Sequence, residues 1–190
     1  RPRYFQIRGI GERSHYFGEG PPNFSVGFVL DDMDLSGLGM VGLLYDIDQI
    51  EIFKGPQSSV YGPNAISGLI SLKSTDPTDH FEMRASTSFG SDNHYGGSSV
   101  VNAHIMRNMN LRLTGVYNYS DGFRKNVSQN ITDSNKREEA FSRMKLSYDP
   151  SNRLSILATL IYTELDNGYD AWAPDNNMDF NTYSNDKGED

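Results

Sequence analysis

Several residue clusters have the types and spacing to do chemistry. Gly9-Ile10-Gly11-Glu12-Arg13-Ser14 opens like a phosphate-cradling glycine loop. Such a loop needs a third glycine and a helix behind it, with backbone N–H groups aimed at the phosphate. The third glycine is missing and Pro21-Pro22 interrupts any helix, so nucleotide binding is not expected. Asp31, Asp32 and Asp34, and again Asp166, Asn167 and Asp170, offer oxygen ligands suited to a hard cation. Neither set has the spacing of an EF-hand loop, and both read as solvated turn carboxylates. His15, His80, His94 and His104 are scattered without ligand spacing. The chain has no cysteine, which removes disulfides, zinc–thiolate sites and a thiol nucleophile. There is no Gly-x-Ser-x-Gly elbow. A carboxylate pair for hydrolysis cannot be picked without geometry. No catalytic residue, metal or cofactor is expected.

The elements that carry charge say more. Arg8, Glu51 and Lys54 lie in short strand-like runs, Phe5-Gln6-Ile7-Arg8 and residues 49–54. Inside an enclosed interior such charges must be paired or hydrated. On an open surface they would only decorate strand ends, where a pair is worth little. A length of 190 residues allows one or two domains. The formal net charge of -8 argues against non-specific nucleic-acid binding. No stretch approaches the ~20 apolar residues of a membrane helix. A mean hydropathy of -0.58 still permits a membrane β-barrel, whose strands alternate lipid-facing and lumen-facing residues.

The run IEIFKGPQSSVYGPNAISGLISLK, residues 50–73, has the most specific order. Residues 49–54 alternate, with Ile50, Ile52 and Lys54 on one face and Gln49, Glu51 and Phe53 on the other. Pro56 lacks a backbone donor and ends the ladder. A short turn over 57–61, a corner at Gly62-Pro63-Asn64 and a small-residue bend to Gly68 lead into a second strand, 69–73. Read alone, this is a strand–turn–strand unit of an α/β domain. Its order also resembles the plug-domain signature of TonB-dependent outer-membrane receptors, through Ile50, Glu51, Gly55, Pro56, Tyr61, Gly62, Asn64, Ala65, Gly68 and Leu69. Lys54 departs from it, where that family usually has Arg. Phe5-Gln6-Ile7-Arg8-Gly9 resembles the family's Arg-Gly strand and Val29-Leu30-Asp31 its Val-Asp-Gly strand end. Asp32 replaces the usual glycine there, which leaves that turn's geometry open.

Residues 25–30 read as a buried strand, 31–42 as turn-rich and 43–48 as a helical turn. Beyond Asp76-Pro77-Thr78-Asp79 the texture changes to period-two segments of the ~9–11 residues that a transmembrane strand needs. These are 81–90, then 98–107 and 111–119 around Asn108-Met109-Asn110, then 140–148 and 153–162 around Asp149-Pro150-Ser151-Asn152. Leu111, Leu113, Gly115, Tyr117 and Tyr119 share a face against Arg112, Thr114 and Asn118. Leu154, Ile156, Ala158, Leu160 and Tyr162 oppose Ser155, Thr159 and Thr163. Tyrosines gather at one strand end like an aromatic girdle. A soluble sheet with one wet face gives similar alternation. The expected fold is therefore an α+β plug domain, 1–76, followed by an antiparallel β-meander, 81–190, the first five strands of a barrel. Plugged barrels have ~22 strands, so both ends read as internal to a longer protein.

The resemblance implies a non-enzymatic transporter of the bacterial outer membrane. Such a receptor takes up a scarce ligand, most often a ferric siderophore, driven by TonB–ExbB–ExbD through an upstream TonB box. Its plug charges, here Arg8, Glu51 and Lys54, would anchor the plug. The signature turns would rest on Gly55, Pro56, Tyr61, Gly62 and Gly68. Arg13, His15, Tyr16, Phe17 and Tyr45 would face the ligand. The 90–97 and 120–139 loops and everything after 163 would lie outside the cell, and the Asn108 and Asp149 turns in the periplasm. The alternative is a soluble secreted β-rich binding or adhesion module.

Overall fold

A computed structural model describes residues 5–11, 24–38, 41–168 and 179–183. It divides into two compact units, 1–75 and 76–190.

In the first unit β1 (Gln6–Ile7) and β2 (Ile10–Gly11) form a small hairpin. The main sheet has four strands: β3 (Val26–Leu30), β4 (Met33–Asp34), β5 (Ile47–Lys54) and β6 (Gly68–Ser74), in the order β4-β3-β6-β5. β3 and β6 are parallel, and the other pairs are antiparallel. All five residues of β3 are buried, as expected of a central parallel strand covered on both faces. On one face Val29, Leu69 and Ala65 pack with Phe53 and Tyr61. On the other, the Phe5 ring stacks on Phe28 with centroids 5.2 Å apart. Asp31 and Asp32 link β3 to β4 with φ of 48° and 65°. Two consecutive left-handed residues make the tight hairpin turn whose twist suits the strands, so Asp32 takes the conformation usual for glycine. The helical turn expected at 43–48 is a 3-10 turn over Val41–Leu44, and β5 begins earlier than expected, at Ile47.

The second unit is an antiparallel meander of β7 (Glu82–Phe89), β8 (Tyr95–Met106), β9 (Met109–Ser120), β11 (Arg137–Ser151) and β12 (Leu154–Leu165). Between its two hairpins, β10 (Lys125–Asn126) pairs in parallel with β13 (Asn181–Thr182). Three expected boundaries move. β8 starts at Tyr95 because Gly96 and Gly97 pair with Asn118 and Tyr117, which shortens the first loop to 90–94. A turn with Asp92 and Asn93 at positive φ closes that loop. β11 continues through Pro150 to Ser151, and the register shifts between Tyr148 and Ser151, the kind of irregularity that accepts a proline in a strand. The 120–139 loop shrinks to the interval between β9 and β11.

Register fixes the two faces. Met83, Val101, Leu113, Met144 and Leu160 are partners in one row across all five strands. Glu82, Asn102, Arg112, Lys145 and Thr159 form the adjacent row. Adjacent rows point to opposite faces. The polar row is the inward one: Asn102, Arg112 and Lys145 are buried, whereas Met83 and Leu160 are more than 60% exposed.

Candidate functional site

Two places concentrate specific chemistry, the signature turn of the first unit and the polar face of the second. In the turn, β5 ends at Lys54 and α1 (Ser58–Tyr61) forms a single helical turn where a plain turn was expected. Gln57 N–H donates to the Ala65 carbonyl at 2.8 Å, which closes the loop. Gly62, at φ 84°, is the joint between α1 and a 3-10 turn over Pro63–Ala65. Gly68 is required by space. A Cβ there would stand 2.5 Å from Ile7 Cδ1 and 2.6 Å from the Phe53 carbonyl. Gly55 N–H donates to the Ser67 carbonyl at 3.3 Å, and Pro56 follows it out of the ladder. Tyr61 reaches the Val29–Leu69 core. The sequence signature is thus a device that lays a short turn over one sheet face and returns the chain as β6.

A second fastening joins the β3–β4 turn to the rest of the unit. Ser74 N–H donates to Asp31 Oδ1 at 2.8 Å, and its hydroxyl donates to Oδ2. Asp34 accepts from Ser36 N–H at 2.9 Å and from Asn64 Nδ2 at 3.0 Å, tying the turn to the signature loop. Partial burial pushes the Asp34 carboxyl up, but the hydrogen bonds from Ser36 and Asn64 outweigh it and hold the pKa below its ordinary value. These carboxylates are occupied in structural bonds.

The proposed anchoring residues are not brought together. Arg8 is exposed in the β1–β2 turn at φ 54°. Glu51 accepts from Gln49 Nε2 at 2.9 Å along β5. Lys54 closes β5, exposed and without an ion pair among the described residues. Tyr45 follows the 3-10 turn, before the start of β5, while Lys54 is at its far end. Arg13, His15, Tyr16 and Phe17 lie outside the described residues, as do Glu12 and Ser14 of the glycine-loop motif and Asp170. The described part of that motif, Gly9 and Gly11, belongs to the β1–β2 hairpin rather than to a loop opening a helix.

On the polar face of the second unit, buried Arg112 donates Nη1 to Glu82 Oε2 at 2.9 Å, and Glu82 also holds Arg84 at 2.7 Å. Lys145 Nζ meets Asp76 Oδ1 at 2.6 Å. Asn102 donates to the Thr78 carbonyl and hydroxyl, both at 2.9 Å, and to the His80 carbonyl at 2.5 Å. It also accepts Thr78 N–H at 3.0 Å. Sequence reasoning assigned Arg112 to this face but singled out none of these residues. The signal available was charge at period two inside otherwise apolar alternation. On the other face Tyr95 stacks on Tyr119 at 4.9 Å and lies 6.1 Å from Tyr117, forming the expected cluster of tyrosines at one strand end. The β10–β13 pairing joins the β9–β11 connection to the chain after β12, and Phe123 meets Phe180 edge-on at 5.2 Å. Lys136 lies 2.6 Å from Asp166, whose hydrogen bond raises the lysine pKa.

A mixed sheet crossed by this turn unit, followed by a meander with a polar buried face and an apolar exposed one, has the architecture of a plug and the opening strands of a plugged barrel. Residues 1–69 match the TonB-dependent Receptor Plug Domain family. Solved structures share the fold. The pyoverdine outer membrane receptor FpvA from Pseudomonas aeruginosa matches 75% of this chain with a TM-score of 0.61 at 16% identity. The ferric-catecholate import receptor Fiu from E. coli matches 77% with a TM-score of 0.61 at 21% identity. The ferric yersiniabactin uptake receptor FyuA from Yersinia pestis matches 68% with a TM-score of 0.58 at 19% identity. The chain spans 21%, 19% and 21% of those three receptors. The family match thus covers most of the first unit, and over about three quarters of its length the chain shares the fold of the plug and opening barrel strands of those receptors.

Proposed function

We propose that this segment serves an energy-coupled receptor of the bacterial outer membrane that imports a ferric siderophore and works with TonB–ExbB–ExbD. The observation that carries the reading is the inverted second unit, whose polar row is buried while its apolar row is exposed. A wall between lipid and a polar lumen needs that arrangement. The three solved receptors, named for pyoverdine, ferric catecholate and ferric yersiniabactin, support a ferric chelate as the ligand class. Transport of this kind is not an enzymatic reaction. It couples outside binding to a periplasmic response, which is allostery between two sites.

Within that reading Arg8, Glu51 and Lys54 are plug-anchoring charges, and Arg13, His15, Tyr16, Phe17 and Tyr45 contribute to the ligand surface. The test is fractionation and uptake with the full-length protein. It should sediment with outer membranes and require detergent for release. Cells expressing it should accumulate radio-iron from at least one of ferric pyoverdine, a ferric catecholate or ferric yersiniabactin, and lose that uptake with a protonophore. Recovery in the soluble fraction without detergent would overturn the reading in favour of a secreted binding module.

A further inference from the structure

We propose that Asn102 and Lys145 form a clasp that fixes residues 76–80 to the meander, so that rearrangement of the plug during transport stops at the Thr75–Asp76 junction.

Among the described residues, hydrogen bonds before that junction run within the first unit and those after it within the second. Ser74 belongs to the first unit through both Asp31 oxygens. Thr75 donates its N–H at 3.1 Å and its hydroxyl at 3.2 Å to the Asp46 carbonyl, also in the first unit. Asp76, the next residue, is held by Lys145. Pro77 follows with its φ fixed by the ring. Thr78 and His80 are then gripped by Asn102, which uses both its oxygen and its amide nitrogen.

The clasp is built from two strands. Asn102 comes from β8 and Lys145 from β11, with Arg112 between them in the same row. Asn102 is completely buried and the Lys145 side chain is 3% exposed. A buried amide that lost its four partners would carry a full desolvation penalty, and a buried ammonium that lost its carboxylate would carry a larger one. Segment 76–80 belongs to no strand, yet Asp76, Thr78 and His80 are each held by a side chain of the meander. A connecting segment without function needs no such grip. One that must remain in place while the domain before it moves does. Force or disorder reaching β6 from the plug would then break the Ser74–Asp31 and Thr75–Asp46 bonds first.

The inference rests on the receptor reading, but its test needs neither ligand nor energy, so the two can fail separately. Hydrogen exchange would be followed in the full-length receptor in micelles, at the Thr78 amide and across β6, while urea is raised. β6 should open at lower urea than Thr78. Lys145→Met, which leaves the Thr78 hydrogen bond itself untouched, should speed exchange at Thr78 about tenfold, without a comparable change in β6, if segment 76–80 opens as one unit. Asn102→Ser, a smaller disturbance to folding than alanine, should do the same. Opening of Thr78 together with β6 in the unmodified protein would overturn the clasp. So would unchanged exchange at Thr78 in Lys145→Met.

Discussion

Leu160→Arg tests the two faces of the meander directly. Leu160 is the seventh of the 12 residues of β12 and is 62% exposed on the apolar row. At about 3.3 Å per residue and a tilt near 45°, such a strand rises roughly 28 Å along the membrane normal, close to the thickness of the hydrocarbon core. In the proposed barrel Leu160 falls near the midplane, where an arginine on the lipid face costs about 2–4 kcal/mol. That corresponds to a roughly 30- to 900-fold loss in the folding equilibrium. Thr163→Arg is the matched control. It puts the same charge three residues further along the same strand but on the opposite face, opposite Phe141 and diagonal to both the carboxylate of Glu139 and the guanidinium of Arg143, whose attraction and repulsion oppose each other. It should cost less than about 1 kcal/mol, the scale on which a new ion pair offsets a modest burial penalty. The assay is urea titration of the full-length receptor folded into phospholipid vesicles, read by the electrophoretic mobility of the folded barrel. Equal losses from the two substitutions, or a larger loss from Thr163→Arg, would refute the assignment of lipid and lumen faces.

Four further outcomes follow from local geometry. Asp32→Gly relieves a left-handed residue in the β3–β4 turn and should raise plug stability by about 0.5–1 kcal/mol in denaturant melts, whereas a loss would mean that the Asp32 side chain has a partner worth more than the strain. Gly68→Ala must displace Ile7 or the Phe53 carbonyl and should cost about 1–3 kcal/mol by the same measurement, and a neutral result would contradict the close approach. Asp34 has a folded pKa below its ordinary value of 3.8, so its stabilisation is complete above that pH and is lost as pH falls through the folded pKa. Thermal midpoints of Asp34→Asn and the unmodified protein should therefore differ at neutral pH and converge in acid once the carboxyl is protonated in the folded protein, and a gap independent of pH would exclude the carboxylate as its source. Glu51→Ala in the full-length receptor should loosen the plug, seen as faster proteolysis and greater antibiotic leakage, and no change in either would argue against an anchoring role.

Much of this architecture could be read from residue order because turns are decided locally. Gly55-Pro56, Gly62-Pro63 and Asn108 each restrict or permit backbone angles by their own chemistry, and the structure places turns at all three. Strand limits were less legible where glycine occurs in a strand. Gly96 and Gly97 look like loop residues, yet their partners Asn118 and Tyr117 hold them in the ladder. Pro150 likewise looks like a stop, but it sits where β9 has already ended its pairing at Tyr148. The candidate site was legible only in part. Gly68 stands out in sequence as a turn former, while the reason for it, Ile7 arriving from 61 positions earlier, belongs to the tertiary structure. Asn102 gave no signal at all, since a single asparagine in a polar-alternating strand looks the same whether it is solvated or makes four hydrogen bonds.

The two units obey the same local rules under opposite solvent conditions. In the first, Leu30, Leu43, Leu69 and Leu72 are sealed from solvent, the normal order for a domain in water. In the second, Asn102, Arg112, Arg143 and Lys145 are sealed while Met83, Phe89, Leu160 and Tyr162 are open. A sheet folding in water would lose on both counts, exposing its apolar row and desolvating its cations. Two of these cations are paired: Arg112 with Glu82, Lys145 with Asp76. Removing the carboxylate would leave a buried cation without this partner, which is how a polar face becomes specific rather than merely tolerated. Mean hydropathy averages across these two regimes and is blind to both. Register separates them, because a shift of one residue would exchange the two rows and place Arg112 and Lys145 among the methionines. The hairpins that set that register are therefore as decisive for the membrane assignment as the apolar residues themselves.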